Sequence, residues 1–244
     1  MILEARKLFA SYGASQILFG IDFVLDRGET ACLLGRNGVG KTTTMKTVMG
    51  LLKPRDGSIL FNGADIGGME PYAINRLGIA YVPQGRHIFP DLTTRENLVM
   101  AARRRRDSAI EWTIHRVHEL FPLLKARENS KGSALSGGEQ QMLSIARALM
   151  QNPKLLLMDE IFEGLAPIVI YEIMGVVSRL KETGISILIS EQSVKFAREI
   201  GGTCYILEKG QVVGVQRQSL SRVAAEEAGH HQAAGRAPLL DGAL

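Results

Sequence analysis

A glycine-rich segment between a predicted strand and a predicted helix constrains this chain more than any other feature. It follows the apolar residues 31–34, precedes a helical pattern, and consists of Gly35, Arg36, Asn37, Gly38, Val39, Gly40, Lys41 and Thr42. Glycines let backbone N–H groups converge on phosphate oxygens without Cβ atoms in the way, at the positive end of the helix that follows. Lys41 adds a mobile cation for the outer phosphates, and Thr42 adds a hydroxyl for Mg²⁺. The segment therefore predicts a site for nucleotide phosphates.

A pair of carboxylates follows a second apolar stretch. Residues 155–158 read Leu-Leu-Leu-Met and lead directly into Asp159 and Glu160. Open α/β sheets hold their ligands at the carboxyl ends of their strands. On its own, such a carboxylate pair usually lies on the solvated surface. In a chain that also has a phosphate-binding loop, the pair predicts a catalytic site. We expect Asp159 to serve the metal and Glu160 to orient, or take a proton from, the water that attacks the γ-phosphate.

Strand and helix patterns alternate along most of the chain. Strand patterns cover residues 2–9, 17–25, 30–34, 58–61, 79–82, 154–158, 185–190 and 203–207, and the first three resemble an antiparallel start. Helical patterns cover residues 42–52, 71–76 and most of 91–126, where one face carries Ile110, Ile114, Val117 and Phe121. Apolar strands that alternate with helices are typical of a buried parallel sheet, so the fold class is α/β. Residues 224–244 lack a periodic face and are predicted to be flexible.

Composition and charge limit the classes of protein to which the chain can belong. The 244 residues, 45% hydrophobic and 22% charged, suit one large globular domain or a domain with a lobe. We expect no membrane span, because no apolar run approaches about 20 residues, and no signal peptide, because the N-terminus lacks that pattern. Cys32 and Cys204 lie far apart in sequence and suggest neither a disulfide framework nor a metal site, so a reducing cytoplasm fits best. The net charge of +4 is too small to predict nucleic-acid binding. The basic run 103–106 is either a solvated helix end or a contact with an anionic partner or lipid surface.

A second glycine pair begins another predicted helix. Residues 135–140 read Leu-Ser-Gly-Gly-Glu-Gln, in which Ser136 and Glu139 form a capping box. The apolar stripe of that helix consists of Met142, Ile145, Ala146 and Leu149. The segment is either only a helix cap or a second anion site, because Gly137 and Gly138 bare the backbone N–H groups of the first turn.

Together these motifs resemble the ATP-binding-cassette (ABC) family, whose signature motif is Leu-Ser-Gly-Gly-Glu-Gln and whose motif order this chain shares over about residues 1–220. The resemblance implies a P-loop NTPase fold of the ABC type, with a RecA-like core, an antiparallel β subdomain and an α-helical subdomain at about 89–152. The nucleotide-binding domain would span residues 1–223 and leave 224–244 as a tail. It further implies ATP and Mg²⁺ as cofactors, and a head-to-tail dimer in which each signature motif completes the partner's nucleotide site.

The resemblance also implies roles for individual residues. Tyr12 would stack on adenine, and Gln84 would sense Mg²⁺ and relay to the membrane subunit. Gln192 occupies the usual switch-histidine position and can hydrogen-bond phosphate without titrating. The implied catalytic residues are Glu160 and Gln192, and the implied metal ligands are Thr42, Gln84 and Asp159. The implied ATP-binding residues are Tyr12, Gly35, Arg36, Asn37, Gly38, Val39, Gly40, Lys41, Thr42, Thr43 and Gln84, with Ser136, Gly137, Gly138 and Glu139 acting in trans.

Longer segments narrow the resemblance to one branch. Residues 82–90, 135–143 and 163–167 look like the ATPases of importers for branched-chain and other hydrophobic amino acids, and urea importers are similar. Lipid or polysaccharide export shares the same chemistry. A soluble role on ribosomes or DNA is less well supported, because the chain has one phosphate loop and no heptads. The chain departs from the family at Ile161 and Phe162, where Pro-Ser or Pro-Thr is usual, and at Ala166, where aspartate is common. These departures leave the loop that faces the dimer partner in doubt.

The importer resemblance implies partners and a location. The partners would be transmembrane permease subunits, a second cassette of the same or a sister chain, and indirectly a periplasmic binding protein, with no nucleic acid. The chain would be a peripheral protein on the cytoplasmic face of the inner membrane.

Overall fold

The computed structural model describes residues 1–104 and 111–218, which form two β-sheets surrounded by helices. The strands are β1 (Leu3–Tyr12), β2 (Ser15–Leu25), β3 (Thr30–Leu34), β4 (Asp56–Phe61), β5 (Ala64–Asp65), β6 (Ile79–Val82), β7 (Leu155–Asp159), β8 (Ser186–Glu191), β9 (Gly202–Glu208) and β10 (Gln211–Gln218). The α-helices are α1 (Lys41–Val48), α2 (Pro71–Leu77), α3 (Thr94–Ala101), α4 (Ile114–Leu120), α5 (Pro122–Ala126), α6 (Gly137–Leu149), α7 (Pro167–Glu182) and α8 (Val194–Ile200).

The larger sheet brings three chain segments to one edge. Its order is β10-β9-β3-β8-β7-β6, and its strands are parallel except for β10, which runs antiparallel to β9. Strands β3, β7 and β8 are buried along their whole length, as expected for a sheet covered by helices on both faces. Leu34 pairs with Glu191, and Asp159 pairs with Ser190. The segments that follow β3, β7 and β8 therefore begin side by side.

The smaller sheet, in the order β2-β1-β4-β5, is antiparallel. The prediction that residues 30–34 continue this antiparallel start is wrong, because β3 pairs in parallel with β8 and β9. The burial patterns explain the difference. Strands β1 and β2 mix buried and exposed positions, whereas every residue of β3 is buried, as in a central parallel strand.

Several predicted boundaries also change. Helix α1 ends at Val48, not at residue 52, because Gly50 adopts φ 75° and a Cβ there would lie 2.3 Å from the Met69 carbonyl oxygen. Where one long helical stretch was predicted over residues 91–126, the described parts, 91–104 and 111–126, hold the separate helices α3, α4 and α5, and Phe121 with Pro122 divides α4 from α5. Strand β10 and the two-residue β5 were not predicted.

Cys32 and Cys204 are distant in sequence but directly opposite each other in the parallel pairing of β3 with β9. Both thiols are free and buried. Sequence spacing alone could not show this proximity, because the strand order brings them together.

Of the two interpretations of the basic run 103–106, a solvated helix end does not describe Arg103, and contact with an anionic partner or lipid surface stays a prediction. The half-buried guanidinium of Arg103 donates to Asn75 Oδ1 at 2.8 Å, and its carbonyl accepts from Asn152 Nδ2 at 2.7 Å. Arg105, Arg106, Ile110 and the predicted tail 224–244 lie outside the described residues. The bounds of the 1–223 domain and of the 89–152 subdomain stay predictions. In the described part of the chain, no helix is both long and apolar enough to cross a membrane.

Candidate functional site

The glycine-rich loop joins β3 to α1, and its backbone favours glycine at three positions, 35, 38 and 40. Gly38 and Gly40 adopt φ 80° and 110°, in the region that disfavours residues with a Cβ. A Cβ on Gly40 would lie 2.8 Å from Leu18 Cδ2, and one on Gly35 would lie 2.6 Å from the Leu207 carbonyl oxygen. The loop ends at the N-terminus of α1, where the first N–H groups have no partner within the helix. This arrangement fits the cradle for phosphate that the sequence predicted.

Lys41 is the first residue of α1, and its side chain is buried. The ammonium group donates to the carbonyl oxygens of Gly35 at 2.8 Å and Arg36 at 3.0 Å. It also forms an ion pair with Glu160 Oε1 at 2.9 Å, and both side chains are nearly inaccessible to solvent. The charge of each group is therefore balanced by the other in the interior.

Asp159 ends β7 and is completely buried. One carboxylate oxygen accepts from Thr42 Oγ1 at 3.2 Å and from the Ser190 hydroxyl, and the other accepts from Tyr81 Oη at 3.0 Å. Burial first, and then the charge and hydrogen bond of Asp159, raise the pKa of Tyr81 well above its usual range. Tyr81 thus remains a protonated donor that fixes this carboxylate.

The donor set around Asp159 fits Mg²⁺. The Thr42 hydroxyl and the Asp159 carboxylate are hard oxygen donors within hydrogen-bond distance of each other, and Mg²⁺ is typically held by one or two such groups together with the phosphates of a substrate. No cluster of three or more His, Cys, Asp or Glu residues suited to a metal occurs among the described residues.

Glu160 is the point at which the predicted site residues meet. It adopts φ 47°, and its backbone N–H donates to the Ser190 carbonyl oxygen at 3.2 Å and to Ser190 Oγ at 3.1 Å. Its Oε2 accepts from Gln192 Nε2 at 3.3 Å and from Gln84 Nε2 at 3.4 Å. With Lys41 on Oε1, three residues from three separate loops or helices converge on one carboxylate. The strained backbone at a polar centre is typical of functional sites.

Gln84 has a second and shorter contact, from Nε2 to Glu163 Oε2 at 2.6 Å. Tyr12 ends β1 with an exposed side chain, and the described contacts do not bring it onto the phosphate loop. Its role as a platform for adenine stays a prediction.

Three residues of this centre were missed by the sequence analysis: Tyr81, Ser190 and Glu191. Tyr81 and Ser190 lie within strands that the sequence did predict, close to Gln84 and Gln192, but the sequence assigned neither of them a role. Glu191 is a buried carboxylate that precedes Gln192, and it accepts from the Gln192 backbone N–H at 3.3 Å. Burial first, and then the nearby charge of Glu160, raise its pKa to about 7. The Gln192 amide does not titrate, but the carboxyl group of the adjacent Glu191 does so near neutral pH.

The second glycine segment forms the capping box that the sequence predicted. Ser136 caps α6 by accepting from the Glu139 N–H at 3.3 Å, and its own N–H donates to Glu139 Oε2 at 2.7 Å. A Cβ on Gly137 would lie 2.5 Å from Arg86 Nη1, so a larger residue there would displace the Arg86 guanidinium. No hydrogen bond or ion pair between described residues joins residues 136–139 to the phosphate loop of the same chain.

The departures at Ile161 and Phe162 have a structural explanation. Both side chains are buried, and the Phe162 ring packs edge-on against Phe196 of α8 with centroids 5.4 Å apart. The residues thus anchor the loop after Glu160 to the hydrophobic core. Ala166 precedes α7 without a side-chain cap, and Pro167 occupies the first turn, where its missing N–H costs nothing.

We expect Phe162→Ser, which restores a small polar residue, to lower the free energy of unfolding by about 3–5 kcal/mol, because it leaves a cavity and a hydroxyl in the core. The matched control is Phe19→Ser, at a half-exposed ring of β2, which should cost less than about 1 kcal/mol. Urea unfolding of both variants provides the comparison. Equal losses in the two variants would show that Phe162 does not anchor the loop.

Known proteins resemble this chain in sequence over most of its length. The family model described as ABC transporter matches residues 18–163. The chain is 39% identical over 212 residues to the high-affinity branched-chain amino acid transport ATP-binding protein BraG of Pseudomonas aeruginosa, covering 87% of this chain and 91% of that protein. It is 35% identical over 215 residues to the lipopolysaccharide export system ATP-binding protein LptB of Haemophilus influenzae, covering 87% and 89%.

Two solved structures extend the similarity to the fold. A nucleotide-free ATP-binding cassette from an ABC transporter superposes with a TM-score of 0.79 at 26% identity and covers 96% of each chain. The ATP-binding subunit of another ABC transporter gives a TM-score of 0.77 at 31% identity over 93% of this chain and 94% of that one.

Proposed function

Because the chain belongs to the ABC transporter family as an ATP-hydrolysing cassette, we propose that it powers uptake of branched-chain or other hydrophobic amino acids through transmembrane permease subunits. The predicted family, fold class and ATPase activity are confirmed by these comparisons. The direction and cargo of transport rest on the 39% identity to BraG, against 35% to LptB. The observation that carries the catalytic part of the proposal is the convergence of Lys41, Gln84 and Gln192 on Glu160.

The residues of the centre divide the work of hydrolysis. The glycine loop and Lys41 bind the phosphates of ATP, and Thr42, Asp159 and Gln84 would hold Mg²⁺, which neutralises phosphate charge when bound. Tyr81 and Ser190 keep the Asp159 carboxylate in place. Glu160 orients the attacking water and takes its proton, and the amide of Gln192 holds Glu160 and donates to the γ-phosphate.

We further propose that the site is completed by a second cassette. The N-terminus of α6, with Ser136, Gly137 and Gly138, presents N–H groups that suit a phosphate. Since no described polar contact joins it to the phosphate loop of its own chain, it would serve the nucleotide of a partner. That partner is either a second copy of this chain or a sister cassette. Gln84 and the helical subdomain would relay closure of the dimer to the permeases.

The proposed location is the cytoplasmic face of the inner membrane, with a periplasmic binding protein selecting the cargo. Urea or amide import remains an alternative on the sequence resemblance. Export is a second candidate function, and the similarity to LptB is the observation that favours it.

Co-purification with the membrane partners, followed by reconstitution into vesicles, tests the direction of transport. We expect ATP hydrolysis to rise severalfold when a binding protein loaded with leucine is added, and to stay at its basal rate with urea. The control is a vesicle that carries Glu160→Gln in place of the normal chain. Stimulation by lipopolysaccharide, with no response to any loaded binding protein, would establish export instead.

A further inference from the structure

Glu191, the last residue of β8, connects three parts of the proposed catalytic centre. Its backbone carbonyl accepts from the N–H of Gly35, at the start of the phosphate loop, at 3.1 Å. Its Oε2 accepts from the Gln192 N–H at 3.3 Å, and the backbone N–H of Phe162, two residues after Glu160, faces the carboxylate and lowers its pKa. Glu191 thus contacts the segments that follow β3, β7 and β8.

The Glu191 side chain is buried, but hydrogen bonds do not satisfy both of its carboxylate oxygens. Glu191 is 6% exposed, and its Oε1 has no hydrogen-bond partner in the structure. A buried carboxylate oxygen without a partner is costly, so this group calls for an explanation. Isosteric glutamine would satisfy the same packing without the charge.

The charged and titratable groups that face Glu191 come from three neighbouring elements. Lys41 projects from α1, Glu160 from the turn after β7, and Cys32 from β3. The hydrogen bond with Cys204, followed by burial, raises the pKa of the Cys32 thiol, so that group stays neutral and Glu191 lies beside one cation and one anion.

We propose that Glu191 is a positioning residue for ATP hydrolysis, whose ionised carboxylate holds the Gln192 backbone and the turn that carries Glu160 at a fixed spacing. The inference rests on the proposed roles of Glu160 and Gln192. Hydrogen bonds to a charged acceptor are about twice as strong as those to a neutral one, so ionisation tightens this spacing. With its pKa near 7, the carboxyl changes charge where the enzyme operates.

The proposal predicts a pH dependence with a definite sign. Protonation of Glu191 weakens its attraction for the N–H groups of Gln192 and Phe162, so kcat should fall as the pH falls through about 7. Stability should change in the opposite direction. Because the pKa is raised in the folded state, Glu191 contributes stability that is fully present below about pH 4.5 and is lost as the pH rises through 7.

The test measures steady-state hydrolysis of Mg-ATP by the full chain between pH 5.5 and 8.5, with wild type, Glu191→Gln and Glu191→Asp. The wild type should show an inflection in kcat near pH 7. Glu191→Gln should lose that inflection and run roughly tenfold below wild type at pH 8, with KM for ATP changed less than about twofold. Glu191→Asp should keep an inflection but at reduced kcat, because the shorter side chain cannot reach both N–H groups. The matched control is Glu199→Gln, at an exposed carboxylate of α8, which should leave the profile unchanged.

Thermal melting provides a readout that does not depend on activity. The melting temperature of Glu191→Gln relative to wild type should be higher at pH 8 than at pH 5.5. An inflection retained by Glu191→Gln, or a loss confined to KM, would overturn the proposal. Glu160→Gln separates this failure from a failure of the proposed function. If that variant hydrolyses ATP normally, the catalytic assignment of Glu160 is wrong. If it is inactive while Glu191→Gln keeps the wild-type pH profile, only the role of Glu191 is refuted.

Discussion

Lys41→Ala is expected to weaken ATP binding by at least about 100-fold, because it removes a buried cation that faces the outer phosphates. The glycine loop should remain folded, since its conformation depends on the glycines and not on the lysine side chain. Titration with a fluorescent ATP analogue measures the loss. Lys46→Ala, in the last turn of the same helix, is the matched control and should bind normally.

The ion pair with Glu160 complicates this variant, because removal of Lys41 leaves a carboxylate buried without its cation. The double variant Lys41→Ala with Glu160→Gln removes both charges and should recover the folding stability lost by the single variant. ATP binding should remain weak in both. Binding and turnover near the wild-type values would show that the loop is only structural.

Glu160→Gln is expected to lower the hydrolysis rate by about 100-fold or more while ATP still binds, because the amide keeps the shape of the side chain but is a far weaker base. ATP should then stay bound between Lys41 of one subunit and Ser136 of the other, so the dimer should accumulate. Light scattering with Mg-ATP, at equal concentrations of wild type and variant, measures this directly.

Adding Ser136→Arg to Glu160→Gln should abolish that dimer by blocking the second half of the site. A variant that binds ATP but stays monomeric would contradict a homodimer and favour an obligatory sister cassette. Unimpaired hydrolysis by Glu160→Gln would remove this carboxylate from the catalytic role.

The motif residues could be predicted from the sequence because each motif has its own local physical requirement. Gly38 and Gly40 need a backbone that other residues avoid, and Ser136 with Glu139 satisfies the N-terminus of a helix within four residues. Buried strands β7 and β8 were visible as compact apolar runs. Such features depend on neighbours in sequence, so a single chain reveals them.

The parts that were missed depend on the order of strands. Tyr81, Ser190 and Glu191 reach the site only because β6, β7, β8 and β3 are adjacent, and no local pattern specifies that order. The placement of β3 in the parallel sheet and the proximity of Cys32 to Cys204 were hidden for the same reason. Phe162 shows the complementary case: a departure from a family pattern became intelligible once its packing against Phe196 was seen.

If each nucleotide site is built from two cassettes, two inactive variants with complementary defects should restore activity when they are mixed. Lys41→Ala lacks a working phosphate loop but keeps its α6 segment, whereas Ser136→Arg has the reverse defect. In a mixed dimer, the intact loop of one chain meets the intact segment of the other, so an equal mixture should recover about a quarter of the wild-type ATPase rate. A mixture that hydrolyses ATP no faster than its two separate components, under conditions where wild type is active, would contradict the shared site.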